Sequence, residues 1–153
     1  MKRVAAFTLR RLASDMASFA TAFSLLSIVV LWLAPPPIES YSRAFLPHDI
    51  VRPGQAVQIY AMAYRSRGGC ASRAERRWTD AAGRLVVPPE IFAIGERPKG
   101  FEAYQGQAVI PPEARPGLLT MRTVVTFTCN AIQRLVGGAH FPLPDHHFTV
   151  LSR

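Results

Sequence analysis

The sequence predicts a mainly β fold, a β-sandwich preceded by one N-terminal transmembrane helix, and three observations carry that prediction. An uncharged, largely apolar run extends from Met16 to Ala34 and ends against three consecutive prolines, with the uncharged stretch continuing to Ile38. Beyond it, apolar residues recur at alternate positions in short segments broken by Pro, Gly and Asp. Two cysteines, Cys70 and Cys129, stand far apart in that second part and suit a small extracytoplasmic domain.

As a helix, Met16 to Ala34 would rise about 28 Å, close to the roughly 30 Å hydrocarbon core of a bilayer. The residues before the prolines, Trp32, Leu33 and Ala34, lack the small-x-small pattern of a signal-peptide cleavage site, and Pro35 would follow the cut. A retained anchor is therefore expected. Pro35, Pro36 and Pro37 stop the helix because each lacks an amide proton, and Trp32 sits where an interfacial aromatic belongs. Lys2, Arg3, Arg10 and Arg11, opposed before the run only by Asp15, set the orientation, with the N-terminus in the cytoplasm. The expected division is a short basic cytoplasmic segment (1–15), the transmembrane helix and proline stop (16–38), a linker (39–50) and an extracytoplasmic β-sandwich (51–153).

The formal net charge of +8 raises the question of nucleic acid. All but two of the basic residues, Lys2 and Lys99, are Arg, and after the helix they are spread from Arg43 to Arg153 rather than gathered into a stripe. Nucleic-acid binding is not expected. The densest group, Arg65, Arg67, Arg73, Arg76 and Arg77, reads as a solvated loop and strand face.

Strands are expected over Ala56–Tyr64, where Val57, Ile59, Ala61 and Ala63 share a face, over Cys70–Thr79, and briefly over Arg84–Val87 after a turn at Asp80–Gly83. The Pro- and Gly-rich stretch Pro88–Gly100 reads as a loop with one edge strand at Ile91–Ile94. Phe101–Ile110 is extended, the best strand is Leu118–Asn130, Ala131–Asp145 reads as a loop, and a final strand covers His146–Leu151.

In an oxidising compartment, Cys70 and Cys129 are most simply a disulfide, and there is no C-x-x-C to suggest a cysteine-ligated metal. The order Cys70, Trp78, a Pro-Gly turn and Cys129 on a late strand resembles the immunoglobulin-like fold, which implies a two-sheet sandwich over about Val51 to Leu151. The outline of basic N-terminus, single spanning helix and disulfide-bearing sandwich is similar to small membrane-anchored proteins of bacterial phages and mobile elements. That resemblance implies residence in a bacterial inner membrane with the C-terminal domain periplasmic.

The chemistry-bearing stretch is "HFPLPDHHF", where His140, Asp145 and His146 form a candidate Zn or Cu ligand set that His48 could join. Met62 and Met121 would suit copper, although Met on a strand more often fills a core. His146 and His147 are adjacent on a strand and so point to opposite faces. No nucleophile elbow, no H-E-x-x-H and no phosphate-cradling loop is present, so no catalytic residue is named. The expected function is a non-enzymatic, membrane-tethered β-sandwich without cofactor that binds an envelope or assembly protein by a sheet edge or by the loops at Pro88–Gly100 and Ala131–Asp145. The alternatives are a periplasmic metal-binding protein using the His140–His147 segment and a lysis or transfer accessory acting through its transmembrane helix.

Overall fold

A computed structural model of the chain describes residues 2–42 and 49–152, with side chains described from Asp15 onward except Glu39. In chain order the elements are α1 (Lys2–Trp32), β1 (Ile38–Tyr41), β2 (Ile50–Val51), β3 (Ala56–Arg65), β4 (Ala71–Asp80), β5 (Glu90–Ala93), β6 (Gly100–Val109), β7 (Gly117–Thr128), α2 (Ala131–Val136), β8 (Ala139–Pro142) and β9 (His146–Val150). They fall into two units, Met1–Ala34 and Pro35–Arg153.

The first unit is α1. Its segment Asp15–Trp32 is long and apolar enough to cross a membrane, with a mean hydropathy of 1.6. The hydroxyls of Thr21, Ser24 and Ser27 donate to the carbonyls of Ala17, Ala20 and Phe23, so these polar groups are satisfied inside the helix, as a lipid-facing segment requires. The helix closes with Leu33 N donating to Val29 O, and the three prolines beyond it supply no further donors. Lys2, Arg3, Arg10 and Arg11 lie on the part of α1 whose side chains are outside the described residues, and His48 is outside them altogether.

The second unit is mainly β. One sheet has the order β1-β3-β6; the other runs β2-β9-β7-β4-β5, with β8 also paired to β7. Pairing is antiparallel except for β2 with β9. The alternation of Val57, Ile59, Ala61 and Ala63 buries one face of β3, as the sequence predicts. Val57, Ile59 and Ala108 of the smaller sheet pack with Trp78, Leu119, Met121, Phe148 and Val150 of the larger, so the two sheets share a core. A second apolar cluster of Ile38, Cys70, Ala74, Val125 and Phe127 lies toward the opposite ends of β3, β4 and β7.

Four local expectations change. Residues 84–87 make no strand: Leu85 forms a single bridge to Thr79, and Pro88 and Pro89 shortly after it offer no ladder donors. The stretch after β7 is not all loop. Asn130 caps α2 by accepting from Gln133 N at 2.9 Å, Gln133 Oε1 accepts from Cys129 N at 2.8 Å, and Gly137 ends the helix at φ 97°. β8 then adds to β7. Finally, Ile38–Tyr41 is a strand on β3 with Ile38 buried, and the carbonyl of Pro37 accepts from Ser66 N, so the chain joins the β unit well before Val51.

Cys70 and Cys129 form a disulfide. Cys70 precedes β4 and Cys129 follows β7, and these strands are neighbours with Ala71 opposite Thr128. The bridge therefore staples two strands of one sheet, whereas an antibody-type bridge joins the two sheets and packs on a core Trp. Trp78 lies in the other core cluster, tilted against Phe148 with ring centroids 5.9 Å apart.

Candidate functional site

The period-two alternation that buries Val57, Ile59, Ala61 and Ala63 also turns Arg65 inward, and on β4 the same alternation places Arg76 between Ala74 and Trp78. Both arginines are buried, at 6% and 7% exposure, which corrects the reading of a solvated face for these two, while Arg73 and Arg77 are exposed and Arg67 is half-buried. From β6 come Glu102 and Tyr104, from β7 Thr123, and from β9 His146. These polar groups occupy a band between the two apolar clusters and line an intersheet cavity of about 60 Å³, whose remaining wall includes Ile38, Ile59, Phe92, Met121, Val125 and Leu143.

Inside that band Arg65 Nε donates to Glu102 Oε2 at 3.1 Å, and Arg97 Nη1 reaches Glu102 Oε1, also at 3.1 Å. The Arg65 guanidinium also stands over the Phe127 ring, 5.6 Å from its centroid. Arg76 is held differently. Its guanidinium stacks over Phe92 at 5.1 Å, and Nη1 donates to Glu90 Oε2 at 3.3 Å. Its Nε is buried and has no hydrogen-bond partner among the described residues. Tyr41 closes one side, and its phenol is pushed up to about 12, first by burial and then by the charge of Tyr104 nearby. The Tyr104 ring folds over Gly106, where an added Cβ would lie 2.6 Å from the Tyr104 hydroxyl, so that glycine makes room for the tyrosine.

His140, Asp145 and His146 are not brought together as the ligand-set reading expects. His146 is opposite Met121 on the inward face, while His140 is opposite Thr126 and hydrogen-bonded to its hydroxyl at 3.0 Å on the outward face. His147 also points outward, 3.0 Å from Thr120 Oγ1. Asp145 accepts from Arg122 Nη2 at 2.7 Å and from Arg122 Nε at 3.1 Å, and this pairing holds its carboxyl below the usual range. Among the described residues no three His, Cys, Asp or Glu side chains converge as a metal cage would require. The reason is strand parity: residues of unlike parity on paired strands face opposite ways.

On the outside of the smaller sheet, Tyr60, Met62, Phe101 and Val109 are exposed, with Phe101 at 78%. Tyr64 packs on Phe101 with centroids 4.9 Å apart. β6 borders this face, and among the described residues it pairs with β3 alone along its ten residues.

No family model matches the chain, and no curated protein does. Among solved structures, the chain is similar to the sporulation control protein Spo0M of Bacillus subtilis at 11% identity and a TM-score of 0.44, with 74% of this chain covering 49% of that one. A family 123 glycoside hydrolase of Clostridium perfringens matches at 14% identity and a TM-score of 0.47, with 68% of this chain covering 22% of the enzyme. The putative ApaA protein of Bordetella pertussis matches at 16% identity and a TM-score of 0.40, with 78% of this chain covering all of it (100%). The chain thus spans about half of the first of these proteins and about a fifth of the second.

Proposed function

We propose that this chain is a non-enzymatic binding module of a bacterial envelope. It is retained in the inner membrane by α1 with its N-terminus in the cytoplasm, and it presents an immunoglobulin-like β domain to the periplasm. The domain recruits a protein partner that adds a strand to β6.

The observation that carries this reading is the edge itself. Natural edge strands are blunted by lysine, proline, a bulge or short length, because their free amide and carbonyl groups recruit other strands. The ten residues of β6, "GFEAYQGQAV", contain no Lys and no Pro, pair with β3 without a register break, and carry Glu102 as their single charge, on the inward face. Strand addition would supply main-chain hydrogen bonds, and the neighbouring Phe101, Met62 and Tyr60 would supply side-chain specificity.

Photo-crosslinking from Gln105 and Gln107 in native membranes tests this. The expected result is one discrete protein adduct from both sites and none from Arg77, which faces outward on the other sheet. Adducts from Arg77 but not from β6 would overturn the edge reading. N-terminal sequencing of the mature protein tests retention separately, since a terminus after Ala34 would replace the anchor with a released domain.

A further inference from the structure

The polar band between the sheets goes beyond that partner surface. Its wall holds two buried guanidinium groups, Arg65 and Arg76, against one carboxylate, Glu102, and both oxygens of Glu102 are already engaged by Arg65 and Arg97. Among the described carboxylates Arg76 meets Glu90 alone, whose side chain is 47% exposed and which takes a single bond from Nη1. The Nε of Arg76 stays buried and without an acceptor among the described residues, in a side chain that is only 9% exposed. A buried charge of this kind is costly unless it is paired. Stacking on Phe92 fixes the plane of the guanidinium, and the bond to Glu90 uses Nη1, which leaves the edge formed by Nε and Nη2. That edge is the planar fork that matches a carboxylate.

We propose that the intersheet cavity binds a small carboxylate anion, with its oxygens on the Nε edge of Arg76 and its short alkyl part against Ile59, Phe92 and Leu143. Water could enter the cavity of about 60 Å³ and satisfy the Nε proton, but it would bring no countercharge. The apolar share of the wall favours an anion with an alkyl end over a bare inorganic ion. Half-buried Phe92, Ile94 and Tyr41 put part of the wall within reach of solvent, so the ligand has a route in.

The test uses the full chain in non-ionic detergent micelles, titrated calorimetrically with sodium propionate, and separately with sodium chloride and sodium phosphate at matched ionic strength. Saturable one-to-one propionate binding is expected. Arg76→Lys, which keeps the charge and loses the fork, should weaken it by at least about tenfold. Ala63→Val, which adds bulk to the cavity wall without touching Arg76, should abolish it while the cooperative melt and the disulfide persist. If Arg76→Lys does not fold, the Ala63→Val comparison decides. Absence of saturable propionate binding in the wild type, or equal binding in the variants, overturns the site. Chloride or phosphate binding as tightly as propionate overturns its assignment to carboxylates. Neither variant alters the outer edge of β6, so the crosslinking outcome stands apart from this one.

Discussion

Arg65 Nε and Glu102 Oε2 lie 3.1 Å apart across the paired strands β3 and β6, and the arginine side chain is 7% exposed. A buried guanidinium is held in place by its carboxylate, and removing one partner leaves the other charge uncompensated. Glu102→Gln should destabilise the β unit by about 3 kcal/mol, whereas Arg65→Met with Glu102→Gln together should cost clearly less than the single change. Urea denaturation of the four proteins of this double-mutant cycle measures the coupling, and purely additive effects would contradict the pairing.

The disulfide between Cys70 and Cys129 closes a loop over a sequence separation of 59, so its main effect is to restrict the unfolded chain. Replacing both cysteines by alanine should cost about 4 kcal/mol and lower the melting temperature by roughly 15 °C. Because the bridge staples β4 to β7 at their Ala71–Thr128 end, hydrogen exchange should rise first there and in α2, the next element along the chain. Uniform loss of protection would argue against a local staple.

Tyr41 supplies an alkaline signature. Burial pushes its phenol up to about 12, so the folded state holds this proton more tightly than the unfolded chain, in which tyrosine titrates near 10. The stabilisation from the neutral phenol is fully present below about pH 10 and is lost as the pH rises toward 12. Absorbance at the phenolate band should show one late-titrating tyrosine, and Tyr41→Phe should flatten the stability loss in that window.

Asp145 gives the opposite sign. Its carboxyl is held low, chiefly by its hydrogen bonds to Arg122, so the stability it contributes is present above the ordinary carboxylate range and is lost as the pH falls through its folded value. The pair is partly exposed, and the effect should be small and should weaken in high salt. Asp145→Asn should leave stability at neutral pH nearly unchanged and reduce its fall below about pH 4. A steep loss at neutral pH in that variant would mean that the pair carries more of the fold than its exposure allows.

Much of the fold is legible in the chain because strand parity is local. Val57, Ile59, Ala61 and Ala63 announce the buried face of β3, and the same count carried two residues further points Arg65 inward. That signal is hidden when five nearby arginines are counted as one charged group. Arg76 between Ala74 and Trp78 offers the same clue. For α2 the cue is Asn130 with Gln133 three residues later and then Gly137–Gly138, a capping pattern around a helix too short to show a helical period. His140, Asp145 and His146 are not gathered because proximity along "HFPLPDHHF" is not proximity in space once β8 and β9 pair with different stretches of β7.

The sequence alone determined the apolar helix, its proline stop, the mainly β character of the chain beyond the prolines, the inward parity of most strands and the presence of one cysteine pair. Each depends on neighbours a few residues apart or on composition. Tertiary structure decided that β4 lies beside β7, which makes the disulfide an in-sheet staple, and that β6 is an edge among the described residues. It also set Arg76 of one sheet across the core from Arg65 and Glu102 of the other, with a cavity between them. Those outcomes depend on which distant segments pair and face each other. That choice is made by the whole core packing at once, so no local period in the chain records it.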